Sequence, residues 1–171
     1  MLNSKNIYLR TLEPEDAFIL LEWENNSENW KVSNTNVPFS EHLIMNYVNS
    51  AQDIYATKQL RFVICKNETN EPIGTIDLFD FDAKNQKAGI GILIARKEER
   101  NKGFANEALQ IIINYSFNHL LIHNLYCNIN ENNTESIRLF EKNGFELIGK
   151  KKDWVRTKNG FENELMFQIL S

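Results

Sequence analysis

The sequence predicts an α/β chain (α+β) in which a mixed, mainly antiparallel sheet is flanked by helices, and three observations carry that prediction. Short runs rich in β-branched and aromatic residues recur along the whole length. Two segments of the second half, 103–120 and 134–143, instead follow the pattern of helices, the first with apolar residues three and four apart. Only 7 glycines and 3 prolines interrupt the 171 residues, which leaves little chain for linkers, so a single domain over 1–171 is expected.

The elements follow in order. Residues Ile7 to Arg10 alternate as a short strand, and the T-L-E-P-E-D-A that follows sets Pro14 among acidic residues where a helix over 14–24 begins. Polar N-N-S-E-N opens a surface loop, after which Ser40, Leu43, Ile44, Tyr47 and Val48 stand at the spacing of a second helix. Strands at Arg61 to Lys66 and Ile73 to Phe81 flank the polar N-E-T-N-E-P as an antiparallel hairpin. A turn near Ala83 to Gln86 leads into A-G-I-G-I-L-I, a nearly continuous apolar strand from Ala88 to Ile94. Its Gly89 and Gly91 point to a bulge or to the close approach of another backbone or a ligand.

Beyond the charged loop A-R-K-E-E-R-N-K, the helix over 103–120 carries a wide buried stripe that includes Ala108, Leu109, Ile112 and Phe117. A strand from Leu125 to Ile129 precedes Asn133, which caps the helix over 134–143; Gly144 and Phe145 close it as a left-handed cap with its apolar contact. The final two strands turn at R-T-K-N-G, where Gly160 supplies positive φ. Trp23 and Trp154 are expected in the core, and Trp30 in a polar loop.

Composition excludes several functions. Lys plus Arg at 19 against Asp plus Glu at 23 gives a net charge of −4, which argues against a nucleic-acid partner. No stretch approaches the roughly 18 apolar residues that span a bilayer, and M-L-N-S-K-N-I-Y lacks the apolar core of a secretion signal. A cytoplasmic protein without a membrane partner is expected. Cys65 and Cys127 sit in apolar runs as buried thiols, and the histidines have no metal-ligand spacing, so no metal is expected.

The chemistry concentrates in strand, charged loop and helix start. Gly103 at a helix N-terminus lets a ligand approach the backbone, and the free N–H groups of the first turn favour an anion, so this segment reads as a phosphate cradle. Phe104 after Gly103 rules out a Walker A loop, and the spacing of a dinucleotide-binding glycine motif is missing. K-G-F-A imitates the opening of an RNA-recognition strand, but N-E-A-L continues it as a helix.

Arg100-Asn101-Lys102-Gly103-Phe104-Ala105 resembles the acyl-CoA loop Q/R-x-x-G-x-G/A of the GNAT superfamily of N-acetyltransferases. The segment Asn133 to Phe145 resembles that family's N-x-x-S helix ending in G-F, and Leu9-Arg10, Leu12 and Asp16-Ala17 resemble the branch that holds ribosomal-protein N-terminal acetyltransferases and bacterial spermidine acetyltransferases. The resemblance implies a central sheet splayed around acetyl-CoA as co-substrate, with the strand backbone at Ile92, Leu93 and Ile94 holding the pantetheine arm. The loop from Arg100 to Ala105 would hold the pyrophosphate, with charge from Arg100 and Lys102, while Asn133, Ser136 and Phe140 would bind the cofactor from the following helix. It further implies direct attack of an amine on the thioester, the acceptor being a small amine, a polyamine or a protein N-terminus, and it leaves room for a homo-oligomer.

The sequence departs from the family pattern at two places. Phe140 stands where many members carry a tyrosine acid, which leaves Ser136 as the substitute proton donor or, equally, as a plain helix-start serine. Gly89 stands where many carry a glutamate base, so Asp77, Asp80 and Asp82 on the preceding strand are the carboxylates in reach. Strict alternation sets Asp80 and Asp82 on one face and Asp77 on the other. Glu24, Glu28 and Trp30 are further residues for an acceptor pocket. The alternative reading is a non-catalytic acyl-CoA-binding sensor or interaction module.

Overall fold

β1 (Ile7–Thr11) pairs antiparallel with β2 (Leu60–Lys66), β2 with β3 (Pro72–Asp82), and β3 with β4 (Lys87–Ile94). These coordinates are a computed structural model that describes residues 2–30, 35, 37–50 and 53–171. Three helices, α1 (Ala17–Asn25), α2 (Glu41–Asn49) and α3 (Ile54–Thr57), lie between β1 and β2 in the chain. The long α4 (Phe104–Asn118) joins β4 to β5 (Asn124–Asn130), and α5 (Thr134–Lys142) precedes the hairpin of β6 (Glu146–Thr157) and β7 (Gly160–Leu170). The seven strands form one sheet in the order β1-β2-β3-β4-β5-β7-β6, with β4 and β5 its parallel pair. No described helix is long and apolar enough to cross a membrane.

The continuous apolar run of β2 is explained by burial on both faces. Phe62 and Ile64 pack with Leu109 and Ile112 of α4, whereas the alternate residues Val63 and Cys65 pack with Leu20 and Trp23 of α1 and Ile44 and Val48 of α2. Helix starts follow their capping chemistry: Ser40 accepts from the Leu43 amide, Asn133 accepts from the Ser136 amide, and Pro14 opens a 3-10 turn, Pro14–Asp16, that leads into α1. Asp16 is fixed there by both nitrogens of the Arg10 fork at 2.6 and 2.7 Å.

The parallel pairing of β4 with β5 covers Lys87↔Asn124, Ala88↔Leu125 and Gly89↔Tyr126, and then the strands part. Residues 91–94 of β4 are thereby left without a strand on that side. This is the splay that the resemblance implied. Two glycines permit the packing around it. A Cβ on Gly74 would lie 2.0 Å from the Leu93 carbonyl oxygen, and one on Gly89 would lie 2.3 Å from the Phe79 ring. The close approach expected at Gly89 is thus made by an aromatic side chain.

Two expectations need correction. Asp80 has φ of 49° and the β3–β4 register shifts between Phe79 and Asp82, so a bulge breaks the alternation on which a shared face for Asp80 and Asp82 rested. Asp80 accepts from the Tyr126 hydroxyl, whereas Asp82 accepts from Asn85 in the turn. Trp154 lies on the outer strand β6 and is 61% exposed, unlike the buried Trp23.

Candidate active site

Two cavities flank the end of β4, and Ile92 and Leu93 line both. The first, about 330 Å³, runs from Ile92, Leu93 and Ile94 past the loop at Arg100, Asn101 and Gly103 to Phe104 and Ala105 at the start of α4. Asn133, Ser136 and Leu139 form its opposite side. The second, about 940 Å³, lies among β2, β3, β4, α1 and α2.

The first cavity is built largely from backbone. Gly103 caps α4 at φ of 90°, a conformation that disfavours side chains, and a Cβ there would meet nothing within 4 Å. The first-turn amides of α4 therefore face an open approach, and the separated edge of β4 offers peptide N–H and C=O groups. Such a surface suits a chain of amides ending in phosphates. Asn133 Oδ1 accepts from the Ser136 amide at 3.1 Å and holds the start of α5 against the cavity. Among the described residues the Ser136 hydroxyl has no protein partner.

Three residues expected to act on this cavity are engaged elsewhere. The Arg100 guanidinium donates to the Ile94 carbonyl at 2.9 Å and to Asn29 Oδ1 at 2.8 Å, so it ties the end of β4 to the segment after α1 instead of adding free charge. Lys102 pairs with Glu99 at 3.0 Å and does not line the cavity. Hydrogen bonds from Lys66 and then Lys102 hold the Glu99 carboxyl below the usual carboxylate range. Phe140 is 3% exposed and packs edge-on against Phe145 at 4.9 Å, inside the core and off the cavity wall.

The second cavity is built from side chains. At its centre Arg61 binds Asp77 through two nitrogens at 2.6 and 3.0 Å and Glu24 through a third at 2.8 Å. Its guanidinium lies 5.3 Å from the Tyr47 ring centroid. Burial works against the Arg61 charge, but the two carboxylates more than offset it and keep the group firmly protonated. Around this triad the walls are mostly apolar, with Phe39, Leu43, Ile44 and Phe79 among them, and carry neutral polar side chains such as Asn46, Gln59 and Asn128.

Asp77 and Glu24 thus meet at one site, whereas Asp80 and Glu28 do not line either cavity. Asp80 is held by Tyr126, and Glu28 lies 3.6 Å from Lys97 on the surface. Burial, and then the Asp80 carboxylate, push the Tyr126 hydroxyl up to about 12, so it stays protonated as a donor at neutral pH. Trp30 donates to the Glu24 carbonyl at 2.8 Å and so braces the segment that carries Glu24.

Sequence reasoning missed Arg61, Tyr47 and Phe79. A signal for Arg61 was present, since it is a cation in the apolar run L-R-F-V-I-C, but its place opposite Asp77 depends on a register shift between Ile64 and Cys65 that the turn alone does not reveal.

The paired cavities and the splayed sheet define an acyl-transfer architecture, and the comparisons agree. The family Acetyltransferase (GNAT) domain matches residues 6–146. An uncharacterized N-acetyltransferase, p20, of Bacillus licheniformis is 31% identical over 171 residues, covering 99% of this chain and 95% of that protein. The structure of spermidine N-acetyltransferase from Vibrio cholerae in complex with CoA and spermine matches with a TM-score of 0.87 at 23% identity, over 96% of this chain and 95% of that one. A GNAT-family acetyltransferase from Bacillus anthracis matches with a TM-score of 0.82 at 25% identity, over 99% and 97%. The chain belongs to the GNAT acetyltransferase family. It is an acyltransferase with acetyl-CoA as its co-substrate.

Proposed function

We propose that this single-domain chain transfers the acetyl group of acetyl-CoA to a primary amine by direct attack, the two substrates meeting where the cavities share Ile92 and Leu93. The observation that carries this reading is the parting of β4 from β5 after Gly89, which opens a slot between a cavity suited to the co-substrate and one suited to the acceptor.

The residues of the first cavity fit acetyl-CoA, which supplies an activated thioester carbonyl when bound. Ile92, Leu93 and Ile94 would pair with the pantetheine amides as a neighbouring strand does. The backbone from Arg100 to Ala105, opened by Gly103, would take the pyrophosphate at the α4 N-terminus. Asn133 orients the first turn of α5 so that Ser136 presents its hydroxyl to the cavity. In this reading Ser136 gives a proton to the departing sulfur, the role that Phe140 has no group to perform.

An amine arrives mainly as an ammonium, since its ordinary pKa is about 10.4, and it must lose a proton before it attacks. Glu24 and Asp77 draw the cation into the second cavity. Both Asp77 oxygens are held by Arg61, whereas only Glu24 Oε1 is so held. Glu24 therefore keeps the freer oxygen for receiving that proton, directly or through water. The acceptor class comprises small amines, polyamines and protein N-termini, and use of acetyl-CoA suits a cytoplasmic enzyme. The exposed Leu147 and Trp154 on β6 suit contact between copies.

The test is release of free thiol from acetyl-CoA, followed with a thiol reagent, in the presence of pooled amines. Acceptor-dependent release supports the proposal. Tight binding without release from any pool would support the sensor reading instead, and absence of binding would overturn both.

A further inference from the structure

The acceptor cavity carries a countable charge. Among its described lining residues the ionised side chains are Glu24, Asp77 and Arg61, two carboxylates against one guanidinium. Arg61 spends three N–H groups on the two carboxylates, so the triad presents the equivalent of a single negative charge to whatever enters. The remaining surface is mostly apolar or aromatic, with Phe39, Leu43, Phe79 and Ile90 among its residues, and its other polar groups, such as Asn46, Gln59 and Asn128, are uncharged.

Resting on the acetyl transfer proposed above, we infer that the preferred acceptor is a monoamine whose amino group is carried on an apolar or aromatic body, and that Arg61 sets this preference against polycations. One ammonium balances the triad. A second or third ammonium on the same ligand would find no further carboxylate among the described lining residues, only apolar wall and neutral groups such as Asn46, Gln59 and Asn128, which compensate its lost hydration less well than a carboxylate does. An aromatic or aliphatic body instead gains from removal of its surface from water against the same walls. Arg61 is the discriminating group because it consumes the charge that a polycation would need. Tyr47, stacked on the guanidinium, and Asp77, bound through both oxygens, keep it aimed at that task.

The experiment compares 2-phenylethylamine with spermidine as acceptors, by thiol release under saturating acetyl-CoA. The expected result is a kcat/KM for 2-phenylethylamine higher by about tenfold or more, the penalty of one uncompensated buried polar group or beyond. An equal or higher value for spermidine overturns the inference. Arg61→Met, which takes the cavity from one net negative charge to two, is expected to move the ratio toward spermidine by about tenfold. Glu24→Gln leaves the Arg61–Asp77 pair in place and takes the cavity to net zero; it lowers kcat by removing the proton acceptor, and its charge loss is expected to raise the KM for 2-phenylethylamine severalfold besides. A ratio unmoved in a folded Arg61→Met, or a KM unmoved in Glu24→Gln, overturns the charge account. Failure of every amine to release thiol while acetyl-CoA still binds overturns the acetyl-transfer reading beneath it, whereas preferred transfer to spermidine overturns this inference alone.

Discussion

The two cavities that share Ile92 and Leu93 are made by opposite means. One is a product of backbone: a strand edge left unpaired, a glycine at φ of 90° and the amides of a helix start. The other is a product of side chains drawn from α1, α2, β2 and β3, gathered around one guanidinium. The difference teaches where chemistry can vary. A backbone surface suits a constant ligand and tolerates many side-chain identities, whereas a cluster of a few charged side chains changes its preferred ligand when a single residue changes.

The sharpest way to break that contrast is to disturb what both cavities share. Gly74→Ala puts a Cβ onto the Leu93 carbonyl, where neither backbone can yield, and is expected to destabilise the chain by about 3 kcal/mol and to weaken binding on both sides. Urea unfolding and calorimetric titration with acetyl-CoA would measure the two effects. Ser136→Ala tests the proton donor proposed on the wall of the first cavity. Turnover is expected to fall roughly hundredfold with acetyl-CoA affinity retained, and unchanged turnover would remove Ser136 from the mechanism.

Gly103→Val addresses the backbone cavity alone. A β-branched residue at that positive φ adds strain of about 1–2 kcal/mol, so the Kd for acetyl-CoA should rise about tenfold while the relative preference among amines stays fixed. The smallest effect lies outside both cavities. Burial pushes the Asp16 carboxyl up, but the Arg10 hydrogen bonds, the Glu13 amide and the Arg10 charge outweigh it and hold the group below its usual range. A lowered carboxyl stabilises the fold above its unfolded value of about 3.9 and loses that contribution as the pH falls through its folded value. Thermal unfolding of Asp16→Asn should therefore show about 1 kcal/mol less stability near neutrality and a flatter decline below about pH 4.

The same division governs what could be read from the residues in order. Gly103, the stripe of α4 and the Asn133 cap are local patterns, each complete within a few turns of chain, and the structure has each of them in place. The second cavity is nonlocal: Glu24 and Arg61 are far apart in sequence, and only the fold brings them to 2.8 Å. The bulge at Asp80 escaped because alternation assumes an unbroken ladder, and one residue at positive φ reverses every assignment after it. Arg100 and Lys102 were legible as loop positions but not as bonded side chains, since a cation beside a phosphate cradle and a cation tying down a strand end look alike in sequence. The short α3 was missed because one turn, Ile54–Thr57, is too brief to display a period.

The contact between Phe79 and Gly89 has a consequence for how the active site can be altered. A carboxylate introduced by Gly89→Glu would strike the Phe79 ring, whereas Phe79→Ala is acceptable to Gly89 at the cost of an unfilled space. The two positions are therefore coupled: an acid at 89 requires the Phe79 ring to move or to be made smaller. A carboxylate at position 89 is thus best introduced together with a smaller residue at 79, so a redesign of this enzyme treats the two positions as a pair.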